Sequence, residues 1–185
     1  MFVLESKNIL LRDYLAADLD AVHAWMSDPE TMKYLGEGHT ASREETLVRF
    51  ARSVGCQLEK ERQSWNLALV RKDTDAVIGE IDLWYRHRNW GGGEGGLGLF
   101  VRRDHWGRGL ATEGARRIVE FGFAELGMDR ISASCIKGNT GSERVIQKLG
   151  MQQEAEYRQS SRRFGDSVNR LGFAVLRAEW DGNAL

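Results

Sequence analysis

The sequence predicts a three-layer α/β domain, with helices on both faces of a mixed central sheet. Two observations support this prediction: segments of strand and helix periodicity alternate along the chain, and three strand-like segments follow one another between residues 65 and 101. The 185 residues correspond to one ordinary domain, and no repeat or linker divides them, so a single domain over residues 1–185 is expected. A composition of 42% hydrophobic and 29% charged residues is typical of a globular protein.

The first third of the chain predicts two strands followed by two helices. Residues 4–14 hold two short apolar runs, which favour an opening strand pair. Asp18 is expected to cap a helix whose apolar residues recur at helical spacing. The step Asp28-Pro29 ends that helix, because the residue before a proline avoids the α region. The segment Ser42-Arg-Glu-Glu45 has the spacing of a capping box and predicts a second helix over residues 46–62.

The middle of the chain predicts a β-hairpin and a third strand. Residues 65–71 and 77–85 have strand-like composition, and the polar segment Lys72-Asp-Thr-Asp75 between them favours a turn. After a glycine-rich connection, residues 97–101 predict the third strand.

The second half of the chain predicts a long helix and then a mixture of short elements. Apolar residues recur every three to four positions over residues 110–126, and Gly127 follows as a stop, which indicates a helix. The remaining elements are a strand over residues 130–136, a short helix over 139–149 and two strand candidates over 151–161 and 169–176.

Charge, cysteine usage and hydropathy exclude several classes of protein. The formal net charge of −1 gives no large electrostatic footprint for nucleic acid. Cys56 and Cys135 lie far apart without a CxxC motif, so a disulfide scaffold and a zinc site are not expected. No apolar run approaches the ~18 residues of a membrane span, and the N-terminal apolar stretch carries an acid, unlike a signal peptide. The sequence therefore predicts a cytoplasmic protein with no metal, nucleic acid or membrane as a partner.

The segment from residue 97 to residue 113 predicts an anion-binding site. A strand leads into Gly107-Arg-Gly109, which opens the long helix, and the free N–H groups and dipole of a helix N-terminus attract anions. Glycines let an anion approach the backbone without a Cβ in the way. Arg102, Arg103 and Arg108 add positive charge. The alternative is a tight strand-to-helix turn that needs glycine for its own conformation.

Two familiar phosphate-binding loops do not fit this segment. A Walker loop requires a lysine followed by serine or threonine after its last glycine, where this chain has Leu110 and Ala111. A dinucleotide fingerprint requires a third glycine or alanine, where this chain has Thr112. A nucleotide-binding protein is therefore the weaker alternative, and it would be recognised by a melting temperature that rises with ATP.

The same segment resembles the coenzyme A loop of the GCN5-related N-acetyltransferases, whose pattern is Gln/Arg-x-x-Gly-x-Gly/Ala. Trp106-Gly-Arg-Gly-Leu-Ala111 matches the pattern at its Gly and Ala positions, with Trp106 in place of Gln or Arg. That replacement, and the continuation Thr112-Glu113, resemble the RimJ/RimL branch of ribosomal-protein N-terminal acetyltransferases. Further segments resemble that branch in the same order, so the resemblance covers nearly the whole chain: Asp28 to Tyr34, Asn139-x-x-Ser142, Lys148-Leu-Gly150 and Arg177 to Trp180.

The resemblance implies a fold and a co-substrate. Two central parallel strands are expected to splay apart after their first half, which leaves an exposed strand edge. Acetyl-CoA is expected to bind with its pyrophosphate on the N–H groups of the loop and its pantetheine arm along the exposed edge, like another strand. Asn139 is expected to bond the pantetheine arm, and this role is compatible with capping its own helix. The implied cofactor-binding residues are Leu99, Phe100, Val101, Gly107, Arg108, Gly109, Leu110, Ala111, Thr112 and Asn139.

The resemblance also suggests which groups move protons. Many relatives carry a tyrosine seven residues after the asparagine as the acid for the leaving thiolate, and this chain has Ile146 there. Ser142 resembles the residue proposed for this task in the RimL type, so it is the candidate acid. Glu80 matches a frequent family position and is the first candidate base, with Glu94 next and ordered water as a third option. The N–H of Val101 is a candidate donor to the oxyanion.

These features predict an acetyl-CoA-dependent N-acetyltransferase that acts on a primary amine by direct attack in a ternary complex. The sequence leaves the acceptor open between a protein N-terminus, a polyamine or aminoglycoside, and an amino-acid-like amine. It also leaves open whether the protein is a monomer or a homodimer. A non-catalytic module that senses coenzyme A is the alternative, and the missing tyrosine favours it.

Overall fold

The structure, a computed structural model, describes residues 1–35, 39–87 and 93–180. The strands are β1 (Val3–Glu5), β2 (Ile9–Arg12), β3 (Ser64–Arg71), β4 (Val77–His87), β5 (Glu94–Val101), β6 (Arg130–Ile136), β7 (Gln152–Arg163) and β8 (Asp166–Leu176). The α-helices are α1 (Leu19–Met26), α2 (Pro29–Met32), α3 (Arg43–Gln57), α4 (Leu110–Ala124) and α5 (Thr140–Lys148). Within these residues the strands form one sheet in the order β1-β2-β3-β4-β5-β6-β8-β7. Among its pairs, β5 and β6 run parallel and the others antiparallel.

Different helices cover the two faces of the sheet, which confirms the predicted three layers. On one face α4 buries Ile118 and Val119 in the larger apolar cluster of the protein. On the other face α1 and α3 bury Trp25 and Phe50 in a second cluster with Val70. The second face is the one that carries Glu80, because Glu80 is the register partner of Ala68, a member of that cluster.

The second predicted helix, α3, begins and ends earlier than residues 46–62. The Ser42 hydroxyl accepts a hydrogen bond from the Glu45 N–H at 3.2 Å, and the Glu45 carboxylate accepts one from the Ser42 N–H at 2.7 Å. This confirms the capping box, and the box itself sets the first helical residue at Arg43. The helix ends at Gln57, because the charged segment 59–62 offers no apolar face to bury.

Asp18 is not the side-chain cap that the sequence predicts. It stands at the N-cap position of α1, but its carboxylate makes no capping bond there. Instead it pairs with Arg12 at 2.6 Å and accepts the Leu15 N–H at 2.7 Å. A neighbouring guanidinium outcompetes the helix N–H groups because its hydrogen bond is charge-assisted.

Strand β5 begins within the segment that the sequence treats as a glycine-rich connection. Gly95 and Gly96 are both paired in the ladder with β4. A Cβ on Gly96 would lie 2.4 Å from the indole of Trp84, and a Cβ on Gly95 would lie 2.5 Å from the sulfur of Met128. These glycines therefore serve the close packing of large side chains across the strand, on both faces of the sheet.

The two central parallel strands separate halfway along their length, as expected. Their ladder runs from Glu94 paired with Arg130 to Leu97 paired with Ala133, although both strands continue beyond it. We call the gap that opens here the fork; Gly98 on β5 and Ser134 on β6 are the first residues beyond the last pair.

The exposed edge of β5 faces into the fork. The Arg102 N–H donates to the Ile78 carbonyl on β4 at 2.7 Å. Because the N–H and C=O groups of a strand alternate between its two edges, those of Leu99 and Val101 face the opposite edge. This edge is unpaired beyond Leu97, so it is available to a bound chain.

Candidate active site

The connection from β5 to α4 forms an open cradle of backbone N–H groups. Gly107 and Gly109 have φ of +73° and +77°, a conformation that L side chains rarely adopt. No heavy atom lies within 4 Å of the position of a Cβ on either glycine, so the space above them is open. The first helical bond of α4 is donated by the Glu113 N–H to the Gly109 carbonyl, which leaves the preceding N–H groups free for an anion.

Trp106 links this cradle to the end of β5. Its indole Nε1–H donates to the Val101 carbonyl at 2.6 Å, and the residue is 49% exposed. The bond occupies the last carbonyl on the exposed edge of β5 and holds the loop against the strand. The sequence shows Trp106 only as a departure from the family pattern; its contact with Val101 becomes visible in three dimensions.

The cradle and the end of β5 share one cleft of about 600 Å³, whose lining does not include Gly98 and Ser134 at the opening of the fork. It is lined by the end of β5, the cradle, the N-terminal half of α5 and the segment around α2. Of the predicted cofactor residues, Arg108 does not line it. The others do, namely Leu99, Phe100, Val101, Gly107, Gly109, Leu110, Ala111, Thr112 and Asn139.

Asn139 and Ser142 lie together at the start of α5. The Asn139 side-chain oxygen accepts the Ser142 N–H at 3.3 Å, so Asn139 caps the helix. The half-buried Ser142 also lines the cleft. One turn later, Ile146 is 4% exposed within the apolar core, so this position provides no acid.

Basic side chains that the sequence analysis did not single out also line the cleft. Arg144 and Lys148 project from α5, and Lys33 follows α2. Glu30 is the carboxylate in the same lining. The cradle of free N–H groups together with these cations fits a bound phosphate group. A basic residue at intervals of three to four on a short helix is too common a pattern to predict such a role from sequence.

Glu80 lies outside the cleft, in a buried hydrogen-bonded group behind β5. It is 1% exposed, the Tyr14 hydroxyl donates to one of its oxygens at 2.6 Å, and Arg49 donates to the other at 2.5 Å. Burial, and then the nearby Glu80 carboxylate, raise the pKa of Tyr14 well above its usual range. Both oxygens of Glu80 thus already have partners, and its role as base stays a prediction.

Asp82 is the second carboxylate on this face. Its Oδ1 accepts from the side chain of Asn66 at 3.0 Å, and its Oδ2 lies 3.5 Å from the position of a Cβ on Gly98. Burial, followed by the charge of Glu80, raises the pKa of Asp82 well above the usual range of an aspartate. Glu94, the other candidate base, accepts from the Ser132 hydroxyl at 3.1 Å and pairs with Arg130 at 3.5 Å.

Two further findings concern the described residues alone. Within them no group of three or more His, Cys, Asp and Glu side chains could hold a metal ion. None of the helices in the same ranges is long and apolar enough to cross a membrane.

Comparison with known proteins identifies the family. The model of the acetyltransferase (GNAT) domain matches residues 8–152. YoaA of Bacillus subtilis, described as an uncharacterized N-acetyltransferase, is 30% identical over 178 residues, covering 95% of this chain and 97% of its own.

Solved structures share the fold. A GNAT-family acetyltransferase from Bacillus anthracis superposes with a TM-score of 0.82 at 24% identity, covering 96% of this chain and 100% of its own. RimL in complex with coenzyme A superposes with a TM-score of 0.80 at 15% identity, covering 95% and 98%. Sequence and architecture agree that this chain belongs to the GNAT family of acetyltransferases.

Proposed function

We propose that the chain transfers the acetyl group of acetyl-CoA to a primary amine by direct attack in a ternary complex. The observation that carries this proposal is one cleft that joins an anion-binding cradle to an unpaired strand edge. Coenzyme A has phosphates at one end and a chain of two amides leading to its thiol, so it matches both parts in order. The complex of the similar protein RimL with coenzyme A supports the same ligand.

The phosphate end is assigned to the cradle. The N–H groups of Leu110, Ala111 and Thr112 are free of helical partners and meet the positive end of the α4 dipole. Gly107 and Gly109 keep the approach open. Arg108 stands outside the cleft lining and would contribute through its backbone N–H, while Arg144 and Lys148 add charge from α5.

The pantetheine arm is assigned to the exposed edge of β5. The N–H and C=O of Leu99 and the N–H of Val101 face the fork, whereas the Val101 carbonyl is already bound by Trp106. Asn139 uses its oxygen to cap α5, which leaves its amide N–H groups for the pantetheine. The side chain of Phe100 points to the face of the sheet that α1 and α3 cover, where its ring centroid lies 4.0 Å from that of Trp25.

The chemistry requires two proton transfers and one donor to the oxyanion. The amine must lose its proton before it attacks, since an aliphatic ammonium has no lone pair. The Val101 N–H, which faces the fork, is the proposed donor to the oxyanion of the tetrahedral intermediate. When the C–S bond breaks, the thiolate takes a proton, for which Ser142 is the proposed donor. The proton of the amine passes to a carboxylate, and the candidates are Glu80, Glu94 and Asp82.

A module that binds coenzyme A without turnover is the second candidate. The buried Ile146, in the place of the tyrosine of many relatives, is the observation that favours it.

Release of free thiol from acetyl-CoA by a panel of primary amines distinguishes the two candidates, with calorimetric binding of coenzyme A measured in parallel. We expect binding together with amine-dependent release, compared with a reaction that lacks amine. Binding without release by any amine would favour the sensing module, and no binding of coenzyme A would refute both.

A further inference from the structure

An acidic and a basic side chain lie on opposite sides of the fork where the strands first separate. On the β5 side, the register pairs Asp82 with Gly98, the first residue beyond the ladder. Gly98 has no side chain, so the Asp82 carboxylate reaches across to within 3.5 Å of its Cβ position. This carboxylate therefore lies at the point where the fork opens.

On the β6 side, the corresponding position is covered by a guanidinium. Arg170 of β8 donates to the Ser134 hydroxyl at 2.7 Å and to the Ser134 carbonyl at 3.2 Å. The Lys137 N–H bonds to the Asn169 carbonyl, so the odd-numbered groups of β6 face β8 and the Ser134 carbonyl faces the fork. Arg170 thus extends from β8 over β6 into the gap.

Within the described residues neither group forms an ion pair of its own. Arg49, the cation nearest to the β4 carboxylates, is bound by Glu80, while Asp82 accepts from the amide of Asn66, shares a hydrogen bond with Glu80 and lies within range of the Arg49 charge. Arg170 has hydrogen bonds to Ser134 and no carboxylate within 4 Å in the same part of the chain. Asp82 and Arg170 form no ion pair with each other, so their charged atoms lie more than 4 Å apart and leave room for a ligand between them.

We propose that the acceptor is a compact amine that also bears a carboxylate, with its ammonium group against Asp82 and its carboxylate bound by Arg170. This inference rests on the proposed function and narrows its acceptor. A guanidinium binds a carboxylate with paired hydrogen bonds, which gives Arg170 a specific ligand. A polyamine or aminoglycoside would place a second cation against Arg170, so this class is disfavoured.

The same placement accounts for the proton of the amine. In its ionised form Asp82 accepts it from the bound ammonium, and the neutral amine then attacks the thioester carbon. The C–N bond forms and the C–S bond breaks, the nitrogen gives its second proton to water, and the thiolate takes a proton from the Ser142 hydroxyl, which regains one from solvent. Asp82 returns its proton to solvent after the amide leaves, so the cycle closes without another reactant.

Matched amines with and without a carboxylate test the proposal. Alanine, β-alanine and 4-aminobutyrate vary the distance between amine and carboxylate, and each is compared with its carboxamide. The best of the three acids is expected to exceed its carboxamide in kcat/KM by at least tenfold. Arg170→Gln should reduce that ratio by at least tenfold, about 1.4 kcal/mol, without changing the KM for acetyl-CoA. Arg158→Gln, an exposed arginine on β7, is the control and should leave the ratio unchanged.

A second pair of substrates, two peptides, tests whether the carboxylate belongs to a polypeptide. A peptide that begins Ala-Glu is compared with one that begins Ala-Gln, and a preference for the first that Arg170→Gln abolishes supports the proposal with the carboxylate on a polypeptide. Equal use of acid and amide in every pair would overturn it, as would an equal loss for both in Arg170→Gln.

Failure of the proposed function would be recognised separately. If no amine releases thiol, the proposed acceptor site is tested by calorimetry instead. Binding of 4-aminobutyrate and of its carboxamide is measured on the protein saturated with coenzyme A. Tighter binding of the acid that depends on Arg170 supports the charged fork, and indistinguishable binding overturns it.

Discussion

The cofactor side and the acceptor side of the fork are built in different ways. On the proposed cofactor side, most of the contacts are assigned to backbone groups, and these come from the single segment between Leu99 and Thr112. On the acceptor side, the groups are the side chains of Asp82 and Arg170, on strands that lie 88 positions apart in the chain. The first kind of site leaves a motif in the sequence, because glycines and a helix start must stand in a fixed order. The second kind leaves none, because its residues are brought together only by strand order and register.

The largest effect is expected on the acceptor side, from Asp82→Asn. If Asp82 takes the proton of the amine, the variant should lose at least ~100-fold in kcat, within the usual range for general base catalysis. The wild-type kcat/KM should rise with pH through the elevated pKa of Asp82, and the variant should lack this rise. The charged groups that face Asp82 are Glu80 on its own strand and Arg49 on α3. A pH–rate profile for both proteins measures the difference.

The same substitution should raise stability at neutral pH, which separates a functional carboxylate from a structural one. Burial raises the pKa of Asp82, so the folded protein binds this proton more tightly than the unfolded chain. Stability therefore falls as pH rises from ~3.9, the unfolded value, through the folded pKa. Asp82→Asn should melt at a higher temperature than the wild type at pH 8, and the difference should vanish below the unfolded pKa. A lower melting temperature at pH 8 would argue that the Asp82–Asn66 bond is mainly structural.

The second effect concerns Ser142, the proposed acid for the thiolate of coenzyme A. Ser142→Ala should lower kcat by roughly 10–100-fold if the hydroxyl protonates the thiolate, since water can replace a weak acid in part. The affinity for coenzyme A should change little, because the Ser142 N–H bond to Asn139 does not involve the hydroxyl. Single-turnover rates and calorimetry measure the two quantities.

Ile146→Tyr in the Ser142→Ala background is the companion variant. A phenol at this position would restore part of the rate if the thiolate needs a protein acid. A wild-type rate in Ser142→Ala, with chemistry limiting, would show that the hydroxyl has no part in the reaction. The buried environment of Ile146 makes a larger ring costly to pack, so a missing rescue has little weight. The rate of the Ser142→Ala single variant is the measurement that tests the hydroxyl.

The third effect tests the cofactor side through its backbone. Gly109→Val should weaken coenzyme A binding at least tenfold, because the Cβ enters the open space above the cradle and the φ of +77° is strained for valine. Gly150→Val is the matched control, with φ of +73° and no heavy atom within 4 Å of its Cβ, but outside the cleft lining. Both variants should lose similar stability, and only the first should lose affinity by calorimetry. Equal affinity in both would refute the assigned cradle.

The difference between the two sides also explains what the sequence could predict. Helix periodicity and the glycine pattern placed α4 and its N-terminal loop, and the resemblance placed Asn139 and Ser142 together in one cleft. Asp18 holds the predicted N-cap position of α1, but its side chain makes no capping bond because Arg12, six residues earlier, pairs with its carboxylate.

The acceptor side depended on information that periodicity does not contain. Strand period placed Glu80 and Asp82 on one face but could not tell which of them has its oxygens already bound. Arg170 gave no signal, because its contact with Ser134 exists only once β8 pairs with β6.

The smallest effect tests Trp106, whose side chain joins the cradle to the end of β5. Trp106→Phe keeps an aromatic ring in the cleft but removes the 2.6 Å bond from the indole N–H to the Val101 carbonyl. Such a bond contributes about 1 kcal/mol, so the KM for acetyl-CoA should rise about fivefold while kcat changes less. The melting temperature of the protein without coenzyme A is the control, because a general loss of stability would lower it as well. An unchanged KM would show that the cradle holds its shape without this link, and that the glycines and the helix start alone define the cofactor side.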